Sequence, residues 1–230
     1  MTEGKKPMAE ANRISTMLSM VLGAERFPVK VDELAVEYSR QCFADSPIDK
    51  VQGEDLDGFD GLLKANKARS KWLILYNSAT PSEGRKRFTI AHEFGHYILH
   101  RHQQDLFECG DGDIETGDNN ERDIEAEADL FSSTLLMPLD DFRRQVDGQP
   151  ISFDLLGHCA DRYGVSLTAG CCLALDRNRA KAGGSGGQPR RPYAVGQVEQ
   201  GRAQVRRLLR NPQEHNRTTP RCFGAQLQRV

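Results

Sequence analysis

No apolar run in this 230-residue sequence approaches the roughly 20 residues that a membrane-spanning helix requires. The opening residues Met1-Thr-Glu-Gly-Lys-Lys-Pro-Met8 lack the apolar core and small-residue cleavage site of a secretory signal. These two absences predict a cytoplasmic protein with no membrane partner. Cysteine is sparse and badly spaced for a framework. Cys42, Cys109, Cys159, Cys171, Cys172 and Cys222 form no C-x-x-C, and adjacent Cys171 and Cys172 make a poor disulfide pair. Free thiols are expected, several of them buried, and the spacing argues against a structural zinc site built from them. The acidic stretch around Asp111-Gly-Asp113 lacks the D-x-D-x-D-G order of a calcium-binding loop. It reads as a solvated loop able to cover a site as a lid.

What is present fits a globular protein: 38% hydrophobic and 28% charged residues supply both a core and a wet surface. The length suggests one domain with an appendage. A net charge of −2 hides a strong asymmetry. From Arg177 to Val230 there are 12 Lys/Arg against Glu199 and Glu214, a net of +10, which leaves −12 for residues 1–176. The two regions attract each other, or the basic end serves an acidic partner.

Apolar periodicity places helices over residues 9–22 and from Val31 through Tyr38. Gly61–Ala65 and Trp72–Tyr76 are short apolar runs around a polar turn, and predict an antiparallel hairpin. A loop over Asn77–Gly84 leads to a helix from about Arg87 to His100. Residues 103–120 read as loop, and Asp123–Leu136 as a helix stopped at Met137-Pro138. A short helix around Leu139–Gln145 precedes a helix pair, Asp154–Tyr163 and Leu167–Asp176, broken at Gly164-Val-Ser. The second of that pair is nearly devoid of basic or amide side chains, which disfavours reading bases from it. The pair is expected to be a packing unit. Residues 182–189 are a flexible linker by composition, and a basic, poorly ordered tail follows in which Val205–Arg210 can form a turn or two of helix.

The chemistry lies in His92-Glu93-Phe94-Gly95-His96, an H-E-x-x-H. On a helix, positions i and i+4 share a face, so two imidazoles can meet one metal ion while Glu93 stands beside it as a general base. That is the donor set of a zinc hydrolase, which still lacks a third protein ligand. His100 continues the series, but three successive turns cannot converge on one tetrahedral ion, so a hydrogen-bonding or packing role is expected. The helix Asp123–Leu136 offers Glu125 and Glu127, which point roughly 160° apart at 100° per residue. Only one of them is expected to face the motif helix. With Glu125 inward, Ala128, Leu135 and Leu136 turn the same way, and Asp129 can accept from a histidine ring nitrogen. Glu125 is therefore the expected third ligand.

Two segments carry a resemblance. Arg85-Lys-Arg-Phe-Thr-Ile-Ala-His-Glu-Phe-Gly-His-Tyr-Ile-Leu-His100 and Glu125-Ala-Glu-Ala-Asp-Leu-Phe-Ser-Ser-Thr-Leu-Leu-Met-Pro138 are similar to paired motifs of the ImmA/IrrE family of zinc metallopeptidases. The departures are mild: Asp129 where Asn is commoner, Ser132 where Ala is usual, and a longer acidic loop between the segments. The likeness extends over about residues 10–176. It implies zinc held by His92, His96 and Glu125, with Glu93 as the catalytic carboxylate. The implied fold is α+β, a zincin-like minimal metallopeptidase with helices packed on a small antiparallel sheet. Residues 1–180 would form the catalytic domain and 181–230 the flexible basic tail.

The implied function is endopeptidase action on a protein, a helix-turn-helix transcriptional repressor or antitoxin. An alternative is a regulatory metal-binding protein that contacts a repressor or DNA without cutting it; a small-substrate zinc hydrolase comes third. The tail offers weak nucleic-acid contact at most, having few aromatics for stacking. For the oxyanion, His102, His158 and Tyr163 are all available and sequence does not choose among them. The strand Trp72–Tyr76 is the expected edge for an extended substrate.

Overall fold

The structure is a computed structural model that describes residues 6–109, 119–150 and 152–166. The Leu167–Asp176 helix, the 182–189 linker, the basic tail, segment 110–118 and Cys171, Cys172 and Cys222 lie outside the described residues. Helix α1 (Pro7–Leu22) opens with Pro at a position where its missing N–H costs nothing, and buries Ala11, Ile14 and Ser15 on one stripe. A short 3-10 turn leads to α2 (Val31–Cys42), whose buried Val31, Leu34, Ala35 and Tyr38 repeat the helical spacing. Strands β1 (Ile48–Glu54), β2 (Gly61–Ala65) and β3 (Trp72–Asn77) follow. After them come α3 (Glu83–Leu99), β4 (Leu106–Cys109), α4 (Asn119–Leu136), α5 (Leu139–Val146) and α6 (Phe153–Tyr163). No helix among the described residues is long and apolar enough to cross a membrane.

The α+β class holds, but the sheet is mixed rather than antiparallel. Its order is β1-β3-β2-β4, with β1 parallel to β3 and the other pairings antiparallel. The expected hairpin is there, with Gly61 opposite Tyr76 and Ala65 opposite Trp72. Strand β1 carries only one buried side chain, Ile48, so it has no alternation to read. Strand β4 is four residues long and lies inside the segment expected to be loop; its pattern reduces to buried Phe107 between exposed Leu106 and Glu108. One expectation is overturned. Strand β3 is paired on both sides, so its backbone groups are used up and it cannot be the substrate edge. Among the described residues the edges of the sheet are β1 and β4.

Helix α3 begins four residues before the expected start because the Ser82 hydroxyl caps it, accepting from the Arg85 N–H. Its Ile90, Ala91, Phe94, Tyr97 and Ile98 join Leu63, Trp72 and Ile74 of the sheet in one core. The Phe94 ring sits edge-on to Phe131 of α4 and to Tyr38 of α2, which locks the helices around the motif. A smaller cluster of Phe142, Leu155, Leu156 and Tyr163 joins α5 and α6. Asp141 pins it, accepting from Arg162 Nε and the Tyr163 hydroxyl at 2.8 Å each.

Candidate metal centre

Helix α3 presents His92, Glu93 and His96 on its buried face, each no more than 3% exposed. Gly95 is what lets α4 come to them. A Cβ there would stand 3.1 Å from Phe131 Cδ1 and 3.3 Å from Ala128 Cα, so the two helices touch nearly backbone to backbone. That approach brings Glu125 into line with both histidines. The Nε2 atoms of His92 and His96 are 3.0 Å apart, and the Glu125 carboxylate lies 2.9 Å from the first and 3.1 Å from the second. The carboxylate meets His92 with Oε2 and His96 with Oε1. Metal–nitrogen bonds of about 2.0–2.1 Å in a tetrahedron place ligand atoms about 3.3 Å apart, so the two nitrogens and this carboxylate are close to coordination spacing.

The partners of the other ring nitrogens show what this triangle lacks. His92 Nδ1 is 2.9 Å from Asp129 Oδ1, and donates to it. His100 Nε2 is 2.9 Å from Glu127 Oε2 and donates there, which leaves His100 Nδ1 to accept from His96 Nδ1 at 3.2 Å. These partners favour the neutral tautomers in which both Nε2 atoms are free to meet a metal ion. In that state two lone pairs and the Glu125 carboxylate face one another, an arrangement that needs positive charge between them: a proton on Nε2 when no metal is bound, or a metal ion in its place.

The electrostatics agree. Burial pulls His92 down, yet Cys109, Asp129 and Glu125 raise it well above its ordinary value, so positive charge is favoured at this point. Burial dominates at His96 and brings it down to about 4. Burial pushes Glu125 up, but the hydrogen bonds with His92 and His96 outweigh this and hold it well below the usual carboxylate range.

Glu93 is fully buried, and neither carboxylate oxygen has a hydrogen-bond partner among the described residues. Burial pushes it up to about 8, against the pull of His92. An unpartnered buried carboxylate costs free energy, so its persistence beside the triangle marks a place for a component that the protein alone does not supply. The donor set of two imidazoles and one carboxylate, with this orphaned group alongside, fits a divalent metal ion.

The structure thus brings together His92, His96, Glu93, Glu125 and Asp129. It corrects one point: Glu127 also reaches the motif helix, at His100, because its three-bond side chain crosses to the next turn while half exposed. His100 is a hydrogen-bonding residue, as its spacing requires. Of the oxyanion candidates, Tyr163 commits its hydroxyl to Asp141, and His158 pairs with Gln145. His102 is exposed beyond the end of α3. Sequence reasoning missed Phe107 and Cys109. Phe107 stacks on the His96 ring at 4.7 Å between centroids, and Cys109 lies within 4.8 Å of His92 and Glu93 ligand atoms. Their spacing of two on one strand was the only signal.

Fold and site together define a zincin-like protein with a His/Glu cluster able to hold a metal ion. The chain belongs to the peptidase M78 family: the model of its IrrE N-terminal-like domain matches residues 48–171, more than half of the sequence. This is a family of metal-dependent peptidases. Among solved structures, a Mycobacterium tuberculosis transcriptional regulator is similar at 18% identity and a TM-score of 0.45. The match covers 81% of this chain and 49% of that one, so this chain spans about half its length. No curated protein matches.

Proposed function

We propose that the protein is a zinc-dependent endopeptidase whose substrate is another protein, a helix-turn-helix repressor or antitoxin. The observation that carries the reading is the convergence of two imidazole Nε2 atoms and the Glu125 carboxylate beside Glu93, which has no hydrogen-bond partner among the described residues. His92, His96 and Glu125 would hold the ion. When bound, zinc supplies a Lewis acid that polarises the scissile carbonyl and makes water acidic enough to lose a proton near neutral pH.

The chain's own residues do the rest. Asp129 and the His100–Glu127 pair keep the two rings in the tautomer that leaves Nε2 free. Glu93 would take a proton from the attacking water and return it to the leaving nitrogen; neither of its oxygens has a hydrogen-bond partner among the described residues. Strand β4 reaches the site through Phe107 and Cys109, its outer edge has no strand partner among the described residues, and an extended substrate would add to it there. Phe107 covers His96 from that side and keeps bulk water away.

The test is to incubate the metal-loaded protein with a helix-turn-helix repressor encoded beside its gene. Cleavage is expected, and its loss on chelation and in Glu93→Gln. Cleavage that survives Glu93→Gln would overturn the mechanism, and stoichiometric binding without cleavage would assign the protein as a regulator.

A further inference from the structure

Cys109 is the one chemically active group at the centre to which neither the ligand set nor the proton transfer gives a task. It stands opposite Gly61 in the β2–β4 pairing, and directly opposed residues project to the same face of a sheet. That face is fixed twice over. The missing side chain of Gly61 would lie 2.8 Å from Glu93 Oε1, and Phe107, two residues before Cys109, stacks on His96. Two residues of strand advance about 6.7 Å and one turn of helix about 5.4 Å. So if Phe107 sits at His96, Cys109 comes to His92, one turn earlier. Its Sγ, a Glu93 oxygen and a His92 ring nitrogen do lie within 4.8 Å of one another. His92 belongs equally to the triangle with His96 and Glu125. Beside Cys109 and His92 stands the fully buried Glu93 carboxylate, which points at them and has no hydrogen-bond partner among the described residues. A thiol and an orphaned carboxylate thus form a second group that shares His92 with the metal triangle.

We propose that Cys109 is a fourth, displaceable ligand of the metal centre, closing the site with sulfur when no substrate lies along β4. The inference rests on the metal site proposed above. On ligation the Sγ–H bond breaks, its proton passes to solvent, one solvent molecule leaves and a metal–sulfur bond forms; nothing is oxidised or reduced. Four protein ligands make a closed centre, whereas a hydrolytic centre keeps one position open. Cys109 sits on the edge strand that a substrate would pair with, so strand addition and release of sulfur occur at the same place.

Cobalt(II) separates this inference from the reading on which it rests. The full-length protein, stripped of metal and reduced, is titrated with cobalt(II) beside Cys109→Ala and Cys109→Ser. Wild type is expected to bind one equivalent, with the strong visible bands of a four-coordinate ion and a sulfur-to-cobalt charge-transfer band in the near ultraviolet. Both variants are expected to keep the visible bands and lose the ultraviolet one, and their zinc affinity in chelator competition to fall at least about tenfold. Visible bands without the sulfur band in wild type would overturn the fourth ligand and leave the triangle standing. A sulfur band that persists in Cys109→Ala would also overturn it, by placing the sulfur on another cysteine. Failure to bind cobalt at all would overturn both. Far-UV circular dichroism of the two variants shows that the fold is intact.

Discussion

Gly61 and Glu93 compete for the same space: a Cβ on Gly61 would stand 2.8 Å from Glu93 Oε1 and closer still to Thr89 Cγ2. Strand β2 can lie this low over α3 only because residue 61 has no side chain. The two neighbours differ in freedom, since Thr89 is stiff and Glu93 is fully buried. Gly61→Ala is therefore expected to destabilise the protein by about 1–3 kcal/mol, the usual cost of overpacking. It should also slow any hydrolysis that depends on Glu93 while metal content stays at wild type. Urea unfolding and metal analysis of the variant check this. An unchanged or raised midpoint would mean that the carboxylate has room to swing aside.

Among the described residues Asp129 meets the centre through the His92 ring, where it accepts from Nδ1 at 2.9 Å. Its removal frees the ring to turn and the proton to change nitrogen, both of which withdraw the Nε2 lone pair from the triangle. Asp129→Ala is expected to weaken zinc binding about 10- to 100-fold, read by competition with a coloured chelator. Asp129→Asn, whose amide oxygen can still accept from Nδ1, should recover most of the loss. Equal affinity in all three proteins would show that His92 is oriented by packing alone.

Legibility in the sequence follows how each feature is encoded. His92, Glu93, His96, Glu125 and Asp129 lie on two helices, where spacing fixes direction, so residue order alone tells which face each one takes. The β2–β3 hairpin is equally plain, because Leu63, Trp72 and Ile74 alternate inward. Strands β1 and β4 are not, because each buries a single side chain outright and owes its place to a neighbour's free edge. Without β1 and β4, the substrate edge falls wrongly on β3 and Cys109 stays hidden. Glu127 is misjudged for a different reason: direction from the helix axis says where a side chain starts, and a glutamate is long enough to end elsewhere.

The chain from Glu127 through His100 to His96 is expected to act as a unit. Glu127 accepts from His100 Nε2, and that choice of tautomer makes His100 Nδ1 an acceptor for His96. Either His100→Ala or Glu127→Ala should lower zinc affinity about tenfold, within the range for partners that orient a metal-binding histidine. The double variant should be little worse than either alone, since both remove the same constraint. Glu127→Gln keeps an acceptor and should rescue. A purely structural role predicts otherwise: additive losses, no rescue, and a fall in the stability of the metal-free protein.

Away from the centre, Asp141 gives the fold a pH dependence of known sign. Burial alone would raise this carboxyl above its ordinary 3.8, but the hydrogen bonds from Arg162 and Tyr163 outweigh it and hold it lower. A depressed carboxyl contributes stability that is fully present above its unfolded value and lost as the pH falls through the folded one. Asp141→Asn should therefore cost about 1–3 kcal/mol at pH 7, where a charge-assisted pair is exchanged for a neutral one. The difference from wild type should shrink as the pH drops below about 4, because wild type then takes up the proton that the variant never needed. Urea unfolding of both proteins at pH 7 and pH 3 measures it. A difference of the same size at both pH values would mean that Asp141 acts through shape and hydrogen bonding, and that its charge contributes nothing to joining α5 to α6.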